Sequence, residues 1–217
     1  MADRAKRRLH VMRRVTSGVK SGDSSGIPRR SVLAAPLATL AAPNSATESR
    51  NNCVSLEYRQ GRLFWPDGNA RAAVGKGGIR IEKKEGDGAT PAGSFPLVSV
   101  MYRPDRVKPP VTGLPLTPVV RAHAWVDDPP DTNYNKLVEL PYPAHVEKLW
   151  RTDAIYDLLV VIGYNINPTV SGAGSAIFLH IARPSFSPTV GCVAIEHHFL
   201  SILIGLLGPG SMITIEP

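Results

Sequence analysis

The chain has 217 residues, of which 43% are hydrophobic, so it can bury a core of ordinary size and is not disordered throughout. Its 19 glycines and 20 prolines favour many short elements joined by turns over a bundle of long helices. The formal charge of +7 arises in residues 1–30, which hold nine of the 25 basic and two of the 18 acidic residues. The rest of the chain is therefore neutral and has no electrostatic surface for a polyanion, so we predict no nucleic-acid partner.

Residues 1–46 have the layout of a secretory signal. A basic segment ending in Arg29-Arg30 leads into the apolar run Val32–Ala42, and small residues follow as far as Ala46. The run is too short to span a bilayer, which needs about 20 apolar residues. We expect a basic leader, export to the periplasm or cell wall, and no stable membrane span once the leader is removed.

Several details of this leader stay open. The arginine pair resembles a twin-arginine address, although the segment before it is unusually long. Cleavage after Ala42 and cleavage after Ala46 both fit the sequence, and both Met1 and Met12 fit as the start.

Residues 52–217 are predicted to form one mainly β domain with one or two short helices. The helix Glu196–Leu207 is predicted from its apolar spacing and from Gly208-Pro209 as its end, and Ala144–Trp150 is predicted as a second, short helix. Residues 103–143 contain nine prolines and are predicted to be extended loops with short strands. Strands are predicted from alternating or short apolar runs at Val54–Arg59, Arg62–Trp65, Ala70–Val74, Ile79–Glu82, Ser94–Tyr102, Leu158–Gly163, Ala176–Ala182 and Met212–Ile215.

The segment from His180 to Val193 carries the residues best suited to catalysis. A thiol nucleophile needs a base that removes its proton and nearby N–H groups that hold an oxyanion. His180 ends a predicted buried strand, and Gly191 allows a tight turn just before Cys192. The residues alone leave an alternative open, because a buried cysteine is usually inert packing and a strand histidine is usually a core residue.

His180 followed by Thr189-Val-Gly-Cys-Val193 resembles the signature of the L,D-transpeptidase catalytic domain (YkuD family). The upstream segment Thr90-Pro-Ala-Gly-Ser-Phe95 is similar to a second motif of that family. Resemblance to a proteobacterial branch is carried by Asp127-Asp128, Tyr134-Asn135 and Gly163-Tyr164-Asn165. The resemblance covers about residues 54–217 and implies a β-sandwich-like domain.

The resemblance also implies roles for single residues. Cys192 would be the nucleophile, His180 the general base and acid, Gly191 an oxyanion donor through its backbone, and Thr189 a support for the loop. No metal or organic cofactor would be needed. Most of the family has Arg after Gly-Cys-Ile/Val, where this chain has Ala194. Arg183 is the nearest substitute and is predicted to bind substrate in its place.

The implied activity is exported peptidoglycan remodelling. The Cys192 thiolate would attack the carbonyl of the third stem-peptide residue, release D-Ala, and pass the acyl group to an amine of a neighbouring stem or of a wall-linked lipoprotein. The alternative is a peptidoglycan L,D-carboxypeptidase or amidase that uses the same site with water as acceptor. A non-catalytic wall-binding module is a third interpretation.

Several further residues could take part in function or serve only the fold. Cys192, His197 and His198 could imitate a zinc site, but adjacent side chains on a helix diverge by about 100°, so we predict no metal. Tyr134 could bind substrate, and we interpret Trp125 as packing. Asp87 and Thr90 are expected to close their own turn. Whether Cys53 pairs with another cysteine stays open.

Overall fold

The computed structural model describes residues 53–217, and the predicted leader at residues 1–46 lies outside that range. The described chain is mostly β-strand, with α1 as its one helix. The strands are β1 (Ser55–Arg59), β2 (Arg62–Trp65), β3 (Gly68–Ala73), β4 (Ile79–Arg80), β5 (Thr90–Pro91), β6 (Gly93–Tyr102), β7 (Leu116–Pro118), β8 (His123–Val126), β9 (Leu137–Glu139), β10 (Val146–Lys148), β11 (Leu158–Ile162), β12 (Phe178–Ile181), β13 (Val193–Ile195) and β14 (Met212–Ile215), and the helix is α1 (His197–Leu206). The predicted mainly β fold is confirmed.

Nine strands form one sheet in the order β11-β12-β13-β3-β2-β1-β14-β6-β7. The long strand β6 closes this sheet on itself, because residues 93–96 pair with β14 while residues 97–102 pair with β11. A separate three-stranded sheet, β10-β8-β9, is formed largely by the proline-rich segment. Because successive side chains of a strand point to opposite faces of the sheet, strands β11 to β13 each present two different faces.

One face of β11 to β13 points into the main core, and the other carries the candidate site. Leu179 and Ile181 of β12 belong to the main core, which also contains Leu200, Leu203 and Ile204 of α1. Phe178 on the opposite face belongs to a second apolar cluster, with Leu149, Trp125 and Cys192. The chemistry-bearing side chains therefore lie on the face away from α1.

The structure corrects the prediction of a short helix at residues 144–150. Val146–Lys148 is instead strand β10, and its three residues pair with Val126, Trp125 and Ala124 of β8. A helix of seven residues is marginal without tertiary support. Pairing with β8 satisfies the backbone N–H and C=O groups that a helix would have paired internally. Because β8 lies about 20 residues earlier in the chain, the local spacing of apolar residues could not indicate this pairing.

The other predicted elements need only small adjustments. The helix predicted at Glu196–Leu207 is confirmed, with Glu196 as its N-cap residue. The strand predicted at Ile79–Glu82 is shorter, because only Ile79–Arg80 pairs, in parallel, with β5. Among residues 53–217, no helix is long and apolar enough to cross a membrane.

Candidate active site

Cys192 lies immediately before β13, with its side chain inside the second apolar cluster and 6% exposed. The thiol donates a hydrogen bond to the Ala176 carbonyl oxygen (3.2 Å), and the Phe178 N–H donates to the sulfur (3.3 Å). Burial, together with the negative charge of Glu147, raises the pKa of the Cys192 thiol to about 12. The resting thiol is therefore protonated, and a base must remove its proton before it can attack a carbonyl.

His180 lies on β12 and is 3% exposed. Its Nδ1 is 2.9 Å from the carbonyl oxygen of Ile181. Because a carbonyl only accepts, Nδ1 carries the proton and the Nε2 lone pair is left to act as a base. Burial lowers the pKa of His180 to about 4, and the charges of Arg183 and Arg151 lower it too, so the imidazole is neutral at neutral pH.

The parallel pairing of β12 and β13 brings His180 and Cys192 to the same face. His180 is directly opposite Ala194, and Ala194 is two residues after Cys192. Because side chains two residues apart point the same way, the imidazole and the thiol face the same space. Both line one cleft of about 220 Å³.

The loop before Cys192 is held by the hydroxyl of Thr189. This hydroxyl donates to the Cys192 carbonyl oxygen (2.6 Å) and accepts from the Gly191 N–H (3.1 Å). Gly191 has a φ of 141°, and a side chain there would come within 3.0 Å of the Ala89 carbonyl oxygen. Glycine at 191 is thus required both by conformation and by close packing.

The upstream motif packs directly against this loop. The Thr90 hydroxyl accepts from the Gly75 N–H (2.8 Å), and Asp87 accepts from the backbone N–H groups of Lys84 and Ala89 (both 2.8 Å). Although burial raises the pKa of Asp87, its hydrogen bonds outweigh that effect and hold the pKa below its usual value. Lys83 donates one of these bonds through its ammonium group (2.8 Å).

The two predicted substrate-binding residues occupy different places. Arg183 is exposed and lines the cleft with Cys192 and His180. Tyr134 is 3% exposed and does not line that cleft; its hydroxyl donates to Glu85 Oε2 (2.5 Å), and Glu85 does line it. The Gly174 N–H donates to the same hydroxyl (2.9 Å), so Tyr134 supports the wall of the cleft from behind.

Sequence reasoning missed several residues of the cleft, among them Glu147, Arg151 and Tyr156. The Tyr156 hydroxyl donates to Glu147 Oε1 (2.6 Å), and its ring packs edge-on against the ring of His180 (5.2 Å between centroids). Arg151 forms an ion pair with Asp153 (2.7 Å). None belongs to a recognisable motif, and Glu147 lay in the segment mistaken for a helix, so no local signal identified them.

Trp125, Cys53 and the two histidines of α1 do not line the cleft that contains Cys192 and His180. Trp125 packs edge-on against Phe178 (5.2 Å), and its indole N–H donates to Asn135 (2.9 Å). Cys53 is an exposed free thiol that donates to the Gly210 carbonyl oxygen (3.0 Å). Across residues 53–217, no three His, Cys, Asp or Glu side chains are grouped so that they could hold a metal ion.

Comparison with known proteins adds two findings. The family model described as the YkuD L,D-transpeptidase catalytic domain matches residues 49–215. Among solved structures, the chain is similar to the crystal structure of Mycobacterium tuberculosis L,D-transpeptidase 1, with 13% sequence identity and a TM-score of 0.36. That match covers 76% of this chain and 60% of the other. No curated protein sequence matches this chain.

Proposed function

This chain belongs to the YkuD family of L,D-transpeptidase catalytic domains, and we propose that it is an exported enzyme that cleaves and rejoins peptidoglycan stem peptides at Cys192. The observation that carries the proposal is the shared face of His180 and Cys192 in one cleft, with the His180 Nδ1 held by the Ile181 carbonyl. This arrangement supplies a thiol, a base with a defined tautomer, and room for a substrate carbonyl.

In the proposed first half-reaction, the His180 Nε2 takes the Cys192 thiol proton as the sulfur attacks the carbonyl of the third stem-peptide residue. The bond from that carbonyl to the D-Ala nitrogen then breaks. The imidazolium returns its proton to the departing amine, so free D-Ala leaves and a thioester remains on Cys192. Because the thiol and the imidazole are both neutral at rest, the charge separation develops only as the carbonyl is attacked.

In the proposed second half-reaction, an amine attacks the thioester. A new amide bond forms, the carbon–sulfur bond breaks, and the proton lost by the amine returns to the thiolate through His180. The amine belongs to a neighbouring stem peptide or to a lysine of a wall-linked lipoprotein. Water in the same place would give a shortened stem instead, which is the outcome expected of a carboxypeptidase.

The backbone around Cys192 is proposed to hold the oxyanion. The Gly191 N–H already donates to Thr189, so binding an oxyanion there requires that this hydrogen bond lengthen. Thr189 would continue to hold the loop through its bond to the Cys192 carbonyl. The Gly191 N–H would meet the general need for a donor aimed at the developing charge, and Thr189 would keep the loop in place for it.

The charges of the cleft support a zwitterionic peptide substrate. Arg151 and Arg183 can bind the D-Ala carboxylate, while Glu85 and Asp127 can attract an ammonium group. We assign to Arg183 the part of the arginine that most of the family carries where this chain has Ala194. Export by the predicted leader would bring the site to its substrate, in the periplasm or cell wall.

The purified protein incubated with a disaccharide-tetrapeptide tests the proposal. We expect intact-protein mass spectrometry to show a thioester adduct equal to the substrate less D-Ala, and chromatography to show cross-linked dimers. Shortened monomers without dimers would assign the protein as a hydrolase. Cys192→Ser is the control, and the absence of both adduct and products from the wild type would contradict the proposal.

A further inference from the structure

Glu147 and Tyr156 form a hydrogen-bonded pair directly beside the catalytic residues. Tyr156 is 3% exposed, and its ring packs edge-on against His180 (5.2 Å) and Phe178 (5.7 Å). The Tyr156 hydroxyl donates to Glu147 Oε1 at 2.6 Å, and both side chains line the cleft that contains Cys192. Hydrogen bonding to the same hydroxyl lowers the pKa of the Cys192 thiol, so the Glu147 carboxylate and the sulfur compete for one donor.

We propose that Glu147 is a positioning residue that binds the Tyr156 hydroxyl and thereby restrains formation of the Cys192 thiolate. The proposal deepens the proposed function, since it rests on Cys192 as the nucleophile. A phenol has one proton to donate, and a carboxylate is a stronger acceptor than a neutral thiol. While Glu147 is anionic, it therefore draws the hydroxyl to itself, and the Phe178 N–H is left as the main donor to the sulfur.

The electrostatics of the cleft agree with this arrangement. After burial, the negative charge of Glu147 is the largest influence that raises the pKa of Cys192, whereas hydrogen bonding to Tyr156 lowers it. Neutralising Glu147 would thus act twice on the thiol, since it removes a repulsive charge and frees the hydroxyl to donate to sulfur.

Glu147 is itself placed so that its charge responds to its surroundings. Burial raises its pKa, while the Tyr156 hydrogen bond and the charge of Arg151 lower it. The carboxylates of Asp127 and Glu85 face the same space and raise it further. A group that enters the cleft and neutralises Glu147 would release the nucleophile, so the free enzyme would hold its thiol inactive until the cleft is occupied.

The test measures thiol reactivity rather than peptidoglycan turnover, so its result is independent of the proposed activity. Cys53→Ser removes the exposed thiol, and iodoacetamide then alkylates Cys192 alone as the thiolate displaces iodide. The alkylation rate is followed by intact mass across pH. We expect Glu147→Gln in this background to lower the apparent pKa of Cys192 by about one unit, which is about a tenfold faster reaction below that pKa.

Two further variants separate the hydrogen bond from general charge and from folding. Adding Tyr156→Phe to Glu147→Gln should remove most of the gain, because the freed hydroxyl is gone while the ring packing is kept. Asp127→Asn removes a carboxylate of the same cleft that does not bind Tyr156, and it should give a smaller gain.

Three outcomes would overturn the proposal: an unchanged or slower reaction in folded Glu147→Gln, an equal gain in Asp127→Asn, or a full gain that survives Tyr156→Phe. Thermal unfolding reports whether each variant folds. Should Glu147→Gln not fold, Tyr156→Phe alone decides, because it should react no faster than the parent, and a faster reaction would contradict the restraint.

Discussion

The hydroxyl of Thr90 donates a hydrogen bond to the carbonyl oxygen of Cys192, a residue 102 positions later in the chain (3.4 Å). The same carbonyl accepts from the Thr189 hydroxyl (2.6 Å), and the Thr90 oxygen in turn accepts from the Gly75 N–H (2.8 Å). Two motifs that are far apart in sequence therefore meet at the backbone of Cys192. The upstream motif positions the catalytic loop, although it contributes no reacting group.

Thr90→Val tests this positioning role. The variant keeps the shape of the side chain but leaves the buried Gly75 N–H without an acceptor, which should lower the free energy of unfolding by about 1–3 kcal/mol. Denaturant titration measures the change. Thr214→Val is the matched control, because Thr214 pairs with Ser94 at the exposed surface and its loss should cost less. Equal costs in both variants would contradict the inference.

His180→Ala tests the general base. The Nδ1 proton of His180 is held by the Ile181 carbonyl, so Nε2 is free to take the proton of the Cys192 thiol. Removing the imidazole should slow acylation of Cys192 by about 10²–10⁴-fold while the fold is kept. Intact-protein mass spectrometry on reactions quenched at successive times with the tetrapeptide substrate gives the rate. His198→Ala on the surface of α1 serves as control. A near-normal rate in His180→Ala would assign the base to another group.

The pH dependence of stability should carry the signature of His180. Burial lowers its folded-state pKa to about 4, below the value of about 6.5 expected in the unfolded chain. Between these values the unfolded chain binds the extra proton, so stability is lost as the pH falls from about 6.5 towards 4, by about 1 kcal/mol per unit. His180→Gln should flatten that slope in urea titrations at several pH values. An identical slope in the variant would show that His180 is not held neutral.

A carbapenem should acylate Cys192. A thiolate that attacks a stem-peptide amide should also open a strained β-lactam, and the family resemblance points to carbapenems as the class best retained. One equivalent should raise the protein mass by the mass of the drug. Cys192→Ser should abolish this adduct, because a serine hydroxyl has almost no anionic form at neutral pH, while Cys53→Ser should leave it unchanged. The reverse pattern would overturn the site assignment.

Gly191→Ala should destabilise the catalytic loop. The φ of 141° disfavours any side chain, and a Cβ would lie 3.0 Å from the Ala89 carbonyl oxygen. We expect a loss of about 1–3 kcal/mol in the free energy of unfolding, together with slower acylation. Gly205→Ala in α1 is the matched control, since its nearest neighbour is 4.0 Å away and alanine favours a helix. That control should be neutral or stabilising in thermal unfolding.

The sequence by itself determined the mainly β class and the helix near the C-terminus, and it pointed to Cys192 and His180 as the candidate reacting residues. These are carried by local signals, such as the apolar runs at 158–163 and 176–182, the Gly208-Pro209 end of α1, and Gly191 before Cys192. Each signal depends on residues close together in the chain, because strand period, helix ends and tight turns are local properties. The family motifs that imply roles for Cys192 and His180 are likewise short stretches of adjacent residues.

Only the tertiary structure decided what surrounds those two residues. Within the segment predicted as a helix, Val146–Lys148 became strand β10 because β8 offered a pairing partner, and that pairing carried Glu147 into the cleft. Tyr156 and Arg151 reached the same cleft from a loop without any motif. Burial then set the protonation of Cys192 and His180, since a pKa depends on neighbours from every packed element rather than on adjacent residues. The candidate nucleophile is thus marked in the sequence, but the groups that set its protonation come together only through long-range packing.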